Sequence, residues 1–338
     1  MKIALITPAR PATHSGNRNT AVRWAQLLRV LGHDVHVQVN WNGAPADLMI
    51  ALHARRSHES IARFAADYPA RPLVLALTGT DLYRDIRFDA DAKRSLALAT
   101  RMIVLQEMAP AEFAPVLRRK TRVIYQSTRP IRRVPPLKSC FEVCISGHLR
   151  EEKDPFCLAA ALEYLPQPSR VRVTHMGAAM SLEMATAARA WTKREPRYRW
   201  SGELPHWLAL RRLARSRLMV ISSRMEGGAN VVTEALAAGV PVIASRIPGN
   251  VGMLGKNYAG YYPLGNERAL ARLLWRAESD PEFYRKLKRL CAARRTLISR
   301  AREKDGLRRL LRELQIQTLN AEGAVDAEVR SGKAVTHR

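Results

Sequence analysis

Glu226-Gly227-Gly228-Ala229-Asn230-Val231-Val232-Thr233-Glu234 is the stretch that decides how this chain folds and what it can hold. An apolar run, Leu218-Met219-Val220-Ile221, precedes it, and Ala235-Leu236-Ala237-Ala238 follows, closed by Gly239-Val240-Pro241. A strand, a glycine-bearing loop and a helix start, in that order, leave unpaired backbone N–H groups at the positive end of a helix. Gly227 and Gly228 carry no Cβ, so a diphosphate can come close to the main chain. The flanking carboxylates of Glu226 and Glu234 do not favour phosphate. They can accept hydrogen bonds from sugar hydroxyls, as an acidic residue does for ribose in Rossmann folds. The pattern points to a nucleotide sugar.

The chain around this stretch is long enough for two such units. Its 338 residues correspond to roughly two domains of ordinary size. An apolar share of 47% with 25% charged residues suits a globular enzyme and excludes a disordered chain. No apolar run approaches the ~20 residues of a membrane helix, which argues against stable membrane insertion. The opening Met1–Pro8 reads as a first strand, because it turns polar too early for a signal peptide. Cys140, Cys144, Cys157 and Cys291 form no CxxC pair and no metal spacing with histidine. They read as thiols of a cytoplasmic protein.

The net charge of +26 invites a polyanionic partner. Arginine supplies 45 of the 56 basic residues, however, and they are scattered along the chain. No zinc finger, RNP aromatic pair or compact basic tail accompanies them, so nucleic acid is not expected as a partner. Anionic substrates account for part of the charge, and docking to an anionic membrane face is the competing use.

Short β-branched and leucine-rich runs alternate with helical patterns from end to end, which predicts an α/β protein with parallel sheets. The first half offers strands at Lys2–Thr7, Val35–Val39, Leu48–Leu52, Leu73–Thr78, Met102–Leu105 and Val123–Gln126. A helix is expected over Thr20–Leu31, from Ala21, Trp24, Leu27, Leu28 and Leu31 at helical spacing. Three prolines between Ser127 and Pro136 mark a linker. Strands resume at Phe141–Ser146, Val171–His175, Leu218–Ser222 and Val242–Ala244. The expected division is a Rossmann-like acceptor domain over 1–130 and a Rossmann-like donor domain over 137–300. A helix over 301–319 and a flexible tail over 320–338 complete it. Facing each other, two such domains would bring the carboxyl ends of both sheets to one central cleft, where open α/β sheets bind ligands.

The loops after the strands should therefore carry the chemistry. The first, Ala9–Asn19, lacks GxGxxG, which argues against a nicotinamide or flavin cofactor. Arg10, His14, Ser15, Asn17, Arg18 and Asn19 instead offer guanidinium forks and polar groups before a helix start, a set suited to a phosphate-like oxyanion. Gly16, in the same loop, is expected to lie against the donor. Arg150 and Lys153, three apart after the strand Phe141–Ser146, can reach one diphosphate together. Asp154 and Pro155 then read as the cap and first residue of a helix. Trp200-Ser201-Gly202-Glu203-Leu204 reads as a short edge where Gly202 and Leu204 could meet a base through the main chain.

Together these residues resemble the group 1 (family 4) glycosyltransferases of the two-domain GT-B fold. The resemblance rests on Arg150 with Lys153, Gly202, Glu226 with Glu234, and Ala235 to Ser245. It implies that Arg150 and Lys153 bind the donor diphosphate and that Glu226 contacts the sugar hydroxyls, so Arg150, Lys153 and Glu226 are the expected catalytic set. It further implies that Glu234 holds the ribose and that Gly227, Gly228, Ala229, Asn230 and Val231 contact phosphate and sugar. The last helices are implied to fold back onto the first domain. No metal and no cofactor are implied, since the UDP-sugar is a co-substrate. Many members carry a histidine where this chain has Thr78, within Leu77-Thr78-Gly79-Thr80-Asp81-Leu82-Tyr83. An acceptor that is already anionic needs no base there, and Thr78 then joins the acceptor-binding set. That stretch, with Thr7–Pro11, His14–Thr20 and Ser223–Asn230, is also similar to the selenosugar synthases of bacterial selenoneine biosynthesis. The similarity implies UDP-N-acetylglucosamine and selenophosphate as substrates, with other enzymes of that route as possible partners. The competing expectation is a group 1 enzyme acting on a lipid or polysaccharide acceptor at the inner membrane.

Overall fold

Parallel neighbours cannot be joined by a tight hairpin and require crossover connections, and the structure is built from such pairs throughout. The computed structural model describes residues 1–11 and 15–332, with side chains through Ile316. By contact density, the chain divides into two compact units. The first holds residues 1–105, 110–124 and 303 onward, and the second holds 106–109 and 125–302.

In the first unit, β1 (Lys2–Ile6), β2 (Asp34–Gln38), β3 (Leu48–Leu52), β4 (Leu73–Ala76), β5 (Arg101–Val104) and β6 (Thr121–Val123) form one sheet. Its order is β2-β1-β3-β4-β5-β6 and every pairing is parallel. The all-buried pattern of β3 and β4 matches their unbroken apolar runs, as a sheet covered on both faces demands.

The helix Gly16–Val30 presses Trp24, Leu27 and Leu28, all essentially inaccessible, onto Ile3 and Leu5. It begins four residues before the expected Thr20, because the Ser15 hydroxyl accepts the Arg18 N–H and caps the first turn. The polar residues Asn17 to Asn19 thus sit on a helix rather than in a loop. The last helix, Arg300–Gly332, returns to this unit. Leu307, Leu310, Leu311 and Leu314, at i, i+3, i+4 and i+7, join the same core. Each such leucine contributes about 1.5–3 kcal/mol on burial. Glu303, 1% exposed, fixes the helix by accepting from Trp24 Nε1 at 2.7 Å and Arg23 Nε at 3.0 Å. Helical backbone continues past Leu319, where a tail was expected. Ala321, Glu322, Ala324, Ala327 and Glu328 are good helix formers even without an apolar stripe.

The second unit repeats the scheme with β7 (Phe141–Ser146), β8 (Val171–Met176), β9 (Tyr198–Trp200), β10 (Leu218–Ile221), β11 (Val242–Ser245) and β12 (Tyr261–Tyr262). Their order is β12-β11-β10-β7-β8-β9, again all parallel. The chain runs outward from β7 through β8 to β9, then returns to β10 on the other side. β7 and β10 therefore flank the switch point, where open sheets place ligands outside the strand ends. The edge strands β9 and β12, of three and two residues, are too short to show a period in sequence. Among the described residues no helix is long and apolar enough to cross a membrane.

Candidate functional site

The β7/β10 switch point carries a recess. Ser146 and Gly147 close β7 on one wall, Ser222 and Ser223 close β10 on the other, and Lys153, His175, Glu226 and Val231 complete the lining. Lys153 Nζ meets Glu226 Oε1 at 2.5 Å, and the Ser223 hydroxyl donates to the same oxygen at 2.6 Å. The Glu226 side chain is 8% exposed and that of Lys153 is 23% exposed, so this is a charge pair at the mouth of a sheltered pocket. The placement of Lys153 follows from its turn. Glu151–Lys153 form a single 3-10 turn ending at Asp154, which adopts left-handed φ of +45°. Ser222 Oγ clamps that turn by donating to the carbonyls of Lys153 and Asp154, at 3.0 and 2.8 Å.

This corrects the expected role of Asp154. It caps no helix, for the next one begins at Cys157, and its carboxylate faces Arg224 at 3.6 Å. Arg150 stands at the start of the 3-10 turn, exposed, and its guanidinium has no ion-pair partner among the described residues.

The glycine loop leads into the helix Asn230–Ala238, with Ala229 at its cap position in extended conformation. Among the described residues, the main-chain N–H groups of Gly227, Gly228, Ala229, Asn230 and Val231 find no hydrogen-bond partner. Five successive open donors at the positive end of a helix are an anion cradle. The loop is held from beneath by residues that sequence reading missed. Ser245 Oγ donates to the Ser223 carbonyl at 2.6 Å, and Asn250, fully buried, donates to Ser245. A Cβ on Gly249 would lie 1.9 Å from the Glu226 carbonyl oxygen, so only glycine lets the helix Pro248–Leu254 come this close. The one signal in sequence was Pro248-Gly249-Asn250, with two residues between it and the preceding strand.

On the other wall, a Cβ on Gly177 would collide with the Gly147 carbonyl at 2.0 Å. The loops after β7, β8 and β9 are accordingly zipped together. Gly147 N–H donates to Met176 O, Gly177 N–H donates to Gly202 O, and Trp200 Nε1 donates to Gly177 O. This puts Gly202 on the rim beside the recess, with Leu204 two residues on and half-buried against the core. His175 under the recess is neutral, because complete burial pulls its pKa down to about 4. Glu234 lies one helical turn past the glycine loop and meets His206 Nε2 at 3.0 Å. The hydrogen bond to Glu234 raises the His206 pKa.

In the first unit, Ser15 caps the helix Gly16–Val30, so Gly16, Asn17, Arg18 and Asn19 form its first turn. Arg10 is exposed in the loop before it, and His14 lies outside the described residues. Gly16 thus belongs to the first unit, whereas every other expected donor residue belongs to the second. Thr78 is tied into a different arrangement. Asp81, fully buried, accepts from the N–H groups of Ala54, Thr78 and Gly79 at 2.8–3.1 Å. No hydrogen bond joins Thr78 to Ser15–Asn19 among the described residues.

The three buried cysteines, 144, 157 and 291, are free thiols, and burial raises the pKa of each. Among the described residues no group of three or more His, Cys, Asp or Glu side chains is placed to hold a metal ion.

Residues 130–292, within the second unit, match the family model described as "Glycosyl transferases group 1". Across 94% of the chain the fold is similar to that of Anabaena HepE, whose structure was solved with UDP and glucose, at 17% identity and a TM-score of 0.72 over 100% of that chain. Sucrose-phosphate synthase from Thermosynechococcus elongatus gives 17% identity and a TM-score of 0.74, over 94% of this chain and 99% of its own. A glycosyltransferase from Rickettsia africae gives 13% and 0.71, over 93% and 98%. The architecture is thus the GT-B fold. No curated protein matches the sequence.

Proposed function

We propose that this protein transfers a sugar from a UDP-sugar, UDP-N-acetylglucosamine in particular, to selenophosphate and so forms a 1-selenosugar. The observation that carries the donor half is the row of open amides from Gly227 to Val231 beside the Lys153–Glu226 pair. That arrangement offers donors to a diphosphate and a carboxylate to sugar hydroxyls in one recess. The group 1 family match over 130–292 and the UDP held by the similarly folded HepE support the same reading.

In the reaction, the bond from the anomeric carbon to the β-phosphate oxygen breaks, and a lone pair of the acceptor's selenium forms the new bond to that carbon. UDP leaves with the electron pair; the product still carries its phosphoryl group on selenium, and attack of water on that phosphorus releases inorganic phosphate and the 1-selenosugar. Negative charge grows on the departing oxygen, which is where Lys153, Arg150 and the loop amides act. Selenophosphate arrives already anionic, so no proton has to be removed from it.

The anionic acceptor is supported by residue choice. Thr78 stands where many group 1 enzymes carry a histidine, and Arg10 and Arg18 flank the start of the first helix. The test is mass spectrometry of products from UDP-sugars offered with selenophosphate, thiophosphate or phosphate. A sugar–selenium adduct is the expected product. Transfer to a lipid or polysaccharide instead, with sedimentation on anionic vesicles, overturns the selenophosphate reading and leaves the donor half standing.

A further inference from the structure

Within the first unit, the ends of β3 and β4 carry a second cluster that the proposed reaction does not yet use. His53 directly follows β3 with φ of +76°, a conformation that strains a non-glycine residue and persists where the surroundings impose it. It is 2% exposed. Opposite it, Asp81–Asp85 form a π-helical turn, a rare form that concentrates at functional sites. Two departures from regular backbone thus face each other at the end of the sheet where ligands bind.

The hydrogen bonds fix how the imidazole is protonated. The Arg56 main-chain N–H, which can only donate, points at His53 Nδ1 at 3.3 Å. Nδ1 is therefore the bare nitrogen and Nε2 carries the proton. Nε2 lies 3.2 Å from Thr80 Oγ1 and donates to it. Burial lowers the His53 pKa and keeps the ring in this neutral form. The charged groups facing the ring are Asp81, Asp85, Arg55 and Arg56. Asp85, 5% exposed, is itself held by Arg55 Nε at 3.1 Å and Arg84 Nε at 3.0 Å, so the carboxylate nearest the imidazole is already matched. The Thr80 hydroxyl receives a proton contact from His53 and retains its own proton. Among the described residues nothing accepts that proton, and Thr80 is half-exposed.

We infer that Thr80 Oγ1 donates a hydrogen bond to the anionic acceptor and that His53 is the positioning residue that aims it, without proton transfer. The inference rests on the anionic-acceptor reading above and adds the contact that holds the acceptor. A row of donors ending in a hydroxyl matches an oxyanion and cannot deprotonate a neutral alcohol, because the imidazole nitrogen on this path already bears its proton.

The experiment uses the full chain with a UDP-sugar and selenophosphate, or thiophosphate where that is turned over. Thr80→Val should raise the acceptor KM roughly tenfold, the size of a lost hydrogen bond to a charged group, with UDP affinity unchanged and Thr80→Ser restoring it. His53→Asn, which accepts positive φ and keeps an N–H donor, should sit between wild type and His53→Gly in acceptor KM. An acceptor KM unmoved in Thr80→Val, in an enzyme that does use the anion, overturns this inference alone. An acid limb of the pH–rate profile that His53→Asn removes and Thr80→Val keeps would make His53 a base and overturn it too. Wild-type protein that turns over no anionic acceptor overturns the underlying reading and the inference with it.

Discussion

The two units end their strands in the same way and treat the resulting amides oppositely. At the end of β4, the N–H groups of Thr78 and Gly79 converge with that of Ala54, and the chain supplies its own anion, the Asp81 carboxylate. At the end of β10, the amides from Gly227 to Val231 converge and no group among the described residues accepts from them. A parallel sheet with crossover helices makes anion cradles wherever a loop turns into a helix. Filling one from within yields a stiff structural corner; leaving one open yields a binding site. By this contrast Gly227-Gly228 and Thr78-Gly79, similar as glycine-bearing turns, differ in whether their amides are already bonded.

The largest test of that contrast is the charge beside the open cradle. Lys153→Ala should lower kcat by roughly a hundred- to a thousandfold, as loss of one preorganised group at developing charge does. Steady-state kinetics with UDP affinity by calorimetry checks this, and an equal loss in affinity and turnover would remove Lys153 from the leaving-group role. Next comes the support beneath the loop. Gly249→Ala places a methyl against the Glu226 carbonyl and should destabilise the second unit by about 1–3 kcal/mol, seen in chemical denaturation. A variant as stable as wild type would mean that the loop yields easily.

Glu234→Ala should weaken UDP-sugar binding by about tenfold, the worth of a charged hydrogen-bond acceptor to ribose hydroxyls. The filled side gives a smaller effect. Arg18→Ala should raise the acceptor KM by about threefold to tenfold through loss of one exposed guanidinium. UDP affinity should stay constant, and a drop there would link this helix to the donor instead.

The smallest effect is one of pH. The His206 pKa is raised by its bond to Glu234, so the pair is strongest below the unshifted value near 6.5 and dissolves as pH climbs through the raised value. On the proposed donor reading, protonated His206 occupies the carboxylate that would serve the ribose. UDP affinity should therefore improve by about twofold to threefold as pH rises through that range, within what one partly exposed pair supports. His206→Ala should flatten the dependence.

Much of this was legible in the residues. The strand at Leu48–Leu52 matches residue for residue, as its unbroken apolar run suits a strand buried on both faces, and β7 does so at Phe141–Ser146, where the buried Glu142 is matched by Arg215. Glu226, the glycine loop and Lys153 could be singled out because each follows a strand in chain order, and the structure brings Lys153 and Glu226 to one recess. Other features gave no such order. The helix Gly16–Val30 starts early because Ser15 outcompetes the polar residues that suggested a loop. Asp154 takes a left-handed turn, set by Ser222 from a strand some seventy residues on.

Sequence by itself determined the alternation of strands and helices, the parallel sheets and the glycine loop with its two acids, since these depend on neighbours a few positions apart. Only the tertiary structure decided which amides stay open, which carboxylate closes the others, and that His53 is a neutral donor held at positive φ. Those outcomes depend on groups such as Asp81, Ser245 and Asn250 reaching across strand ends, and distance along the chain holds no record of that approach.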